Sequence, residues 1–252
     1  LNERFSCTLN GISPASIDPA VRVTDLTELP PRRRVVTVPT ARHGLRLLRR
    51  VRESLTVRVS FLIAEEDPVR RRTVLQALHR WAEPGGLLTV SDRPGQHLTV
   101  QCDTLPTMSA LCWTDELAIE FTAYAVPFWE TDESAKVTTG SSATLTLPGN
   151  ADECPVGAVV TNNGSAALTT LTLRCGDTQM TFSGLSLAAG KKFTLGMSDG
   201  LLYADANGTG ALMLRSGDSS DLLLADGGAA TPVSVTADQP VQAVFSGRGR
   251  LL

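Results

Sequence analysis

Gly196-Met-Ser-Asp-Gly200 has the G-x-S-x-G spacing that sets a serine nucleophile on a sharp strand-to-helix turn, where backbone N–H groups form the oxyanion site. A hydrolase using Ser198 is therefore the first chemistry to weigh. The flanks argue against it. Phe193-Thr-Leu-Gly196 leads in as a strand and Leu201-Leu-Tyr-Ala204 leads out as another, and no histidine follows His97 to act as base. The spacing predicts a β-turn. His43, His79 and His97 form no H-x-H or H-x-x-H pair, so no zinc site is expected. Asp115, Glu116 and Glu120 could supply the paired carboxylates of glycoside hydrolysis. Glu116 and Glu120, however, alternate with Leu117, Ile119 and Phe121, which puts them on the polar side of a strand. Asn163-Gly-Ser165 and Asn207-Gly-Thr209 match the glycosylation sequon, yet both are also good hairpin turns. No catalytic residue, cofactor or metal ligand is assigned.

Charge is the next signal. The chain of 252 residues has a net charge of -3, which selects no partner. Its distribution does. Through Arg58 there are eleven arginines, no lysine and five acids; after Glu130 there are seven basic residues and eleven acids. The two halves should do different jobs. Arg32-Arg-Arg34 through Arg58 could meet nucleic acid phosphates, but no aromatic residues are interleaved. Packing on a neighbouring subunit explains arginines equally well, because guanidinium groups favour interfaces. Arg42, Arg46, Arg49, Arg50 and Arg52 are the candidate subunit-interface residues.

These residues must be positioned by mostly extended elements. Phe5, Cys7 and Leu9 alternate before an Asn10-Gly11 turn. Val21 and Val23 suggest a second strand, broken by Pro30-Pro31, and Val35 to Val38 a third. Arg42-His43-Gly44 reads as the tip of a long arm that returns through Leu45–Val51. Leu55, Val57, Val59, Phe61 and Ile63 then give the cleanest period-two strand, starting near Ser54. Asp67-Pro68 caps a helix running to about Glu83, with an apolar stripe of Val74, Leu75, Leu78, Trp81 and Ala82. Arg70, Arg71 and Arg72 in its first turns oppose the helix dipole and ask for a partner or acids. Two short strands around Asp92-Arg93-Pro94-Gly95 follow, then a last strand ending at Val126-Pro-Phe-Trp-Glu130.

The polar stretch 131–142 reads as a linker between a first domain, 1–130, and a second, 143–252. The second carries turn signals at short intervals and no helical stripe, which predicts a β-sandwich. Cys7, Cys102, Cys112, Cys154 and Cys175 are odd in number, with no CxxC pair, and are expected as reduced, buried thiols of a protein that folds in a cytoplasm. The first five residues carry no signal-peptide core, and the missing initiator Met suggests that leading residues are absent. No run of apolar residues is long enough for a membrane-spanning helix.

Taken together, the residues resemble the distal tail proteins of long-tailed, non-contractile phages (siphovirus type). The resemblance rests on Phe5-Ser-Cys-Thr-Leu-Asn-Gly11, the Arg-rich arm before an alternating strand, the helix with Leu75, Leu78 and Trp81, and the Val126-Pro-Phe-Trp-Glu130 stop. In the second half it rests on Cys154-Pro-Val-Gly-Ala-Val-Val160 and Leu195-Gly-Met-Ser-Asp199. It implies a mainly β fold: an N-terminal β-sandwich with one α-helix and a protruding β-hairpin arm, then a galectin-like β-sandwich. It further implies a virion protein assembled in the host cytoplasm, with six copies forming a ring at the end of the tail tube around a lumen that passes DNA. The implied partners are the tail tube protein, the tail tip or baseplate hub, and a receptor-binding protein. The alternative is a carbohydrate-binding module for adhesion. Galectin-type sites stack a Trp on the sugar and often use His, and here Trp81, Trp113, Trp129 and all histidines precede the second domain. Its aromatics are Phe182, Phe193, Tyr203 and Phe245, so docking of protein is expected there.

Overall fold

The computed structural model describes residues 5–39, 43–105, 116–198 and 200–252. The chain divides into two compact units, Leu1–Trp129 and Glu130–Leu252. Unit 1 holds β1 (Cys7–Leu9), α1 (Pro14–Ile17), β2 (Val21–Glu28), β3 (Arg32–Pro39), β4 (Leu45–Ile63), α2 (Pro68–Ala82), β5 (Gly86–Val90), β6 (Gln96–Thr104) and β7 (Glu116–Ala123). Its ladders are antiparallel in the order β1-β5-β6-β7-β4-β2. β6 serves two of them: Val100 pairs with Gly86, whereas the next residue, Gln101, pairs with Thr122.

The alternating strand does what its period requires. Leu55, Val57, Val59, Phe61 and Ile63 are all buried, each worth about 1.5–3 kcal/mol of apolar burial. Against them packs α2, whose Val74, Leu75, Leu78 and Ala82 are buried. Trp81 stands edge-on to Phe61 and Phe121, with ring centroids at 6.1 and 6.0 Å, and donates its indole N–H to the Ile12 carbonyl at 3.0 Å. Asp67 caps the helix by accepting from the Val69 N–H, and Pro68 stands in the first turn. At the other end Asn10 holds the turn. Its Nδ2 donates to the Gly85 carbonyl and its Oδ1 accepts from the Leu87 N–H. Gly86 has φ +129, and a Cβ there would run into the Asn10 side chain, so the close approach needs glycine.

Three boundaries differ from expectation. The strand through Ser54 begins nine residues earlier, at Leu45, because the returning arm and the core strand are one element. The strand expected to reach Glu130 stops at Ala123; Pro127 in the segment that follows has no N–H to give a ladder. The polar stretch 131–142 is largely strand β8 (Trp129–Thr139), since ladder hydrogen bonds need no apolar side chains. α1, a single turn, has no counterpart among the sequence patterns; Ser13 caps it by accepting from the Ser16 N–H.

Unit 2 is a sandwich. β9 (Ser142–Thr146), β10 (Cys154–Asn162), β11 (Leu168–Cys175), β12 (Thr178–Leu187), β13 (Lys192–Ser198), β14 (Leu201–Ala206), β15 (Leu224–Ala225), β16 (Ala230–Ala237) and β17 (Val241–Leu251) complete the chain. One sheet runs β14-β13-β10-β17-β8, with β15 on β10, and the other β12-β11-β16-β9. Along β10 every second residue is buried. Phe182 of one sheet meets Phe193 of the other at 4.8 Å. The fold class is thus mainly β, as the sequence indicates. Among the described residues no helix is long and apolar enough to cross a membrane.

Two buried polar residues are informative. Asn162 is fully buried; it donates to the Ala166 and Leu187 carbonyls and accepts from the Gly164 N–H at 2.8–2.9 Å. Asn162→Ala should therefore cost unit 2 about 2–3 kcal/mol by stranding backbone groups, and an unchanged urea midpoint would refute this. Arg71 is only 3% exposed, and its Nε and Nη1 meet no hydrogen-bond partner. Removing a buried, unsatisfied charge relieves its desolvation cost, so Arg71→Met should stabilise the protein by about 1–3 kcal/mol. A lowered melting temperature for that variant would show that the guanidinium contributes net stability.

Candidate functional site

The arm follows from β4. Its second half, residues 55–62, lies between strands, with β7 on one edge and β2 on the other over Val57–Ile63. Its first half, from Leu45 to Ser54, pairs with β3 alone among the described residues. At about 3.3 Å per residue this half is roughly 30 Å of two-stranded ribbon. Such a ribbon is marginal by itself. β2 and β3 follow one another along the same edge of β4, separated by Pro30-Pro31; the Leu29 N–H still reaches the Thr56 carbonyl at 2.9 Å. The prolines offer no N–H there, so the ladder breaks and resumes. The register then slips between Val36 and Thr37, whose partners are Arg49 and Leu47, leaving Leu48 as the extra residue of a bulge.

Among the described residues of the ribbon only Ser54, at its base, is buried. Val35, Val38, Leu45, Leu47 and Leu48 are exposed, and so are Arg32, Arg33, Arg34 and Arg46. Arg34 pairs with Glu53 at 3.4 Å, but both are well exposed, so the pair adds little. Arg33 and Arg52 stand directly opposite in the ladder, a like-charge pairing that opposes the hairpin. Burial first, then Arg33, lowers the Arg52 pKa from its ordinary value, while Glu28 raises it. The described part of the ribbon exposes apolar side chains and aligns like charges.

The base of the arm is clasped. Glu28 ends β2, and its Oε2 accepts from Arg93 Nη2 at 2.8 Å and from the Trp129 indole N–H at 3.0 Å. Arg93, in the turn between β5 and β6, also lies over the buried Trp129 ring at 5.0 Å. Arg52 lies over Phe128 at 4.7 Å and donates to the Pro127 carbonyl at 3.4 Å. The Pro-Phe-Trp stop is thus the floor on which two arginines rest. In the sequence Arg93 reads only as a turn residue and Glu28 carries no local signal; the aromatic pair beside Pro127 is the one pattern that points to the clasp.

The five arginines expected at an interface do not stand alike. Arg42 lies outside the described residues. Arg46 is exposed on the arm; Arg49 and Arg50 are placed in the ladder opposite Val36 and Val35. Arg52 is engaged within its own chain. In the first turns of α2, Arg70 pairs with Glu65 at 2.8 Å and reaches Asp18 at 3.9 Å, and Arg72 is exposed.

The other candidates for chemistry are dispersed. Ser198 closes β13 and Leu201 opens β14, an antiparallel hairpin in place of a strand-to-helix elbow, and Asp199 lies outside the described residues. Asp115, Cys112 and Trp113 also lie outside them. Glu116 and Glu120 sit in β7, with Glu120 opposite Arg58. Asn207, at φ 52, and Gly208 form the turn after β14. Among the described residues no group of three ligands could hold a metal. Cys7, Cys154 and Cys175 are buried free thiols and Cys102 is half-buried; burial pushes Cys7 up to about 12. In unit 2 a concavity of about 760 Å³ is lined by Glu153, Arg174, Asp177 and Asp226, with no aromatic ring on its walls. Phe182, Phe193 and Phe245 are buried in the core, leaving Tyr203 half-exposed against Gly196.

By sequence, no protein family matches the chain and no curated protein does. By structure, the chain is similar to the Dit protein (gp 19.1) of phage SPP1, described as a paradigm of the hub adsorption apparatus of phages infecting Gram-positive hosts. The TM-score is 0.69 at 12% identity, over 97% of this chain and 98% of that one. It also aligns with chains of the phage P2 baseplate in its activated conformation, with Ca or Sr, at TM-scores of 0.49 and 8% identity over 97% of each chain. The fold, across both units, is that of the SPP1 protein.

Loss of the clasp should be measurable. Glu28→Ala should destabilise unit 1 by about 1–2 kcal/mol, a value reduced for partial exposure, and should change the fluorescence of Trp129 as its indole loses its acceptor. Unaltered stability and emission would show that the clasp does not hold the arm.

Proposed function

We propose that this chain is a structural protein of a phage tail: a ring, of six copies, at the distal end of the tail tube. The ring would join the tube to the tail tip or baseplate hub and the receptor-binding apparatus, and leave a lumen for DNA. The observation that carries this reading is the open-edged arm, an element without purpose in a single chain, within a fold that matches the SPP1 hub protein along its whole length. Closure by one repeated head-to-tail contact is the symmetry such an arm serves. Unit 2, with its acidic balance, would be the docking domain for tail-tip or receptor-binding partners. The sugar-binding alternative has no aromatic platform in the concavity of unit 2 to favour it. No catalytic role is proposed, because Ser198 is set in a hairpin and lacks the helix start that an oxyanion site uses.

Light scattering and negative-stain imaging of the full chain test this. The expected species has six times the 26.8 kDa chain mass and a central hole. A monodisperse monomer at high concentration would overturn the reading. Changing Arg42, Arg46, Arg49, Arg50 and Arg52 together to Ala should lower the mass at moderate salt with the fold retained. Unchanged mass would remove the arginines from the contact.

A further inference from the structure

Two edge strands of unit 2, β12 and β14, are finished differently. The free edge of β12 is covered by residues 216–220. Thr181 takes the Ser216 N–H on its carbonyl and gives its own N–H to Ser219 Oγ at 3.0 Å. Gln179 does the same with the N–H and the hydroxyl of Ser220. β14 is covered over only half its length. Its Ala206 N–H donates to the Thr209 carbonyl at 2.7 Å, and its Ala204 carbonyl accepts from the Ala211 N–H at 2.8 Å. The cover stops there, because the Leu214 N–H takes the Ala211 carbonyl as the chain enters the turn Leu212–Leu214. Both main-chain groups of a residue in an antiparallel ladder point to one edge, and the edge alternates along the strand. Leu202 therefore points its N–H and C=O the same way as Ala204, away from β13, and neither group meets a partner among the described residues.

The open stretch is also apolar. Leu201 is 73% and Tyr203 42% exposed, on the side of the strand opposite the buried Ala204, and Met213 beyond the cover is 95% exposed. Exposed edges are ordinarily blunted by lysine, proline or a bulge. Leu201–Ala206 has no lysine or proline, and its ladder with β13 runs without a register shift. We propose that this edge receives an extended amino-terminal segment of a partner protein, added antiparallel to β14. The proposal rests on the docking role of unit 2 and names its surface and the kind of segment that fits. Main-chain groups facing Leu202 ask for a strand. Leu201 and Tyr203 ask for apolar side chains on the two residues that flank the one opposite Leu202. The bridge of Asp205 with Gly210 sets Ala211 opposite Ala204, so an added strand must begin opposite Tyr203, which suits a chain terminus. The same obstruction disfavours a second copy: with Leu202 facing Leu202, its Gly200 would fall where Ala211 already lies.

The probe is an acetylated peptide, Val-Thr-Val-Thr-Ser, labelled with fluorescein at its carboxyl end and titrated into the full chain by anisotropy. Saturable binding is expected, and hydrogen exchange at the Leu202 amide should slow by 1 + [peptide]/Kd, about threefold at twice the Kd. Methylating the amide nitrogen of the first Thr, which faces Leu202, should weaken binding at least about tenfold, and so should Leu202→Pro, which removes the outward N–H and no bond to β13. Lengthening the peptide at its amino end should weaken it as well, since the extension meets Ala211. Absence of binding, or equal binding by the methylated peptide or the Leu202→Pro chain, overturns the proposal. Should circular dichroism show that Leu202→Pro disturbs the fold, Leu201→Lys with Tyr203→Lys replaces it, and unchanged binding again overturns the site. Light scattering of the same samples separates this outcome from the ring. A ring that takes no peptide removes the site and leaves the ring reading; peptide bound by a chain that forms no ring supports the site and removes the ring. A lower mass for Leu202→Pro would make the edge a contact between copies and overturn the partner strand.

Discussion

A single unbroken strand must satisfy two environments. From Leu55 onward β4 is buried between neighbours and its apolar residues fill the core. Before Leu55 the same strand leaves the core with β3 as its only described partner, and its leucines face solvent. Backbone hydrogen bonding carries the strand through, because the ladder is indifferent to which side chains it bears. The arm's direction is therefore set by the core: the strand cannot turn without breaking a ladder on which both halves depend.

That constraint explains the density of contacts where arm meets core. At this junction one edge of β4 passes from β2 to β3, and two prolines interrupt the ladder. Glu28, Arg93 and Trp129 close the gap with a carboxylate that takes two hydrogen bonds, and Arg52 is laid on Phe128. Charge-assisted bonds on an aromatic floor are stronger than the exposed ion pairs of the arm. Among the described residues, the arm's contacts with the core are gathered at its base. Unit 2 shows the opposite economy: its aromatic residues are mostly interior, its sheets close on one another, and its asparagine at position 162 is fully satisfied.

Much of this was legible in the residues. The period of β4, the Asp67-Pro68 cap, the stripe of α2, the Asn10-Gly11 turn and the short strands of unit 2 are local patterns, and each element appears where its pattern stands. The boundaries were less legible. Arm and core strand read as two elements because hydrophobic alternation fades before Ser54, while hydrogen bonding does not. Residues 131–139 read as a linker because a polar strand has the composition of a loop.

The sequence alone determined most of the extended segments, the main helix α2, the principal turns, and that the first half is rich in arginine. These depend on alternation, caps and charge, all of which act over a few residues. Only the tertiary structure decided what each arginine does. Arg70 meets nearby acids, Arg71 is buried without partners for two of its nitrogens, Arg93 clasps Glu28, Arg52 rests on Phe128, and Arg33 and Arg46 remain exposed on the arm. Glu28 and Trp129 are a hundred and one positions apart in sequence and 3.0 Å apart in space. A charge has no fixed role until the fold brings its partner, because electrostatic energy depends on separation and burial, and neither is written in the order of residues.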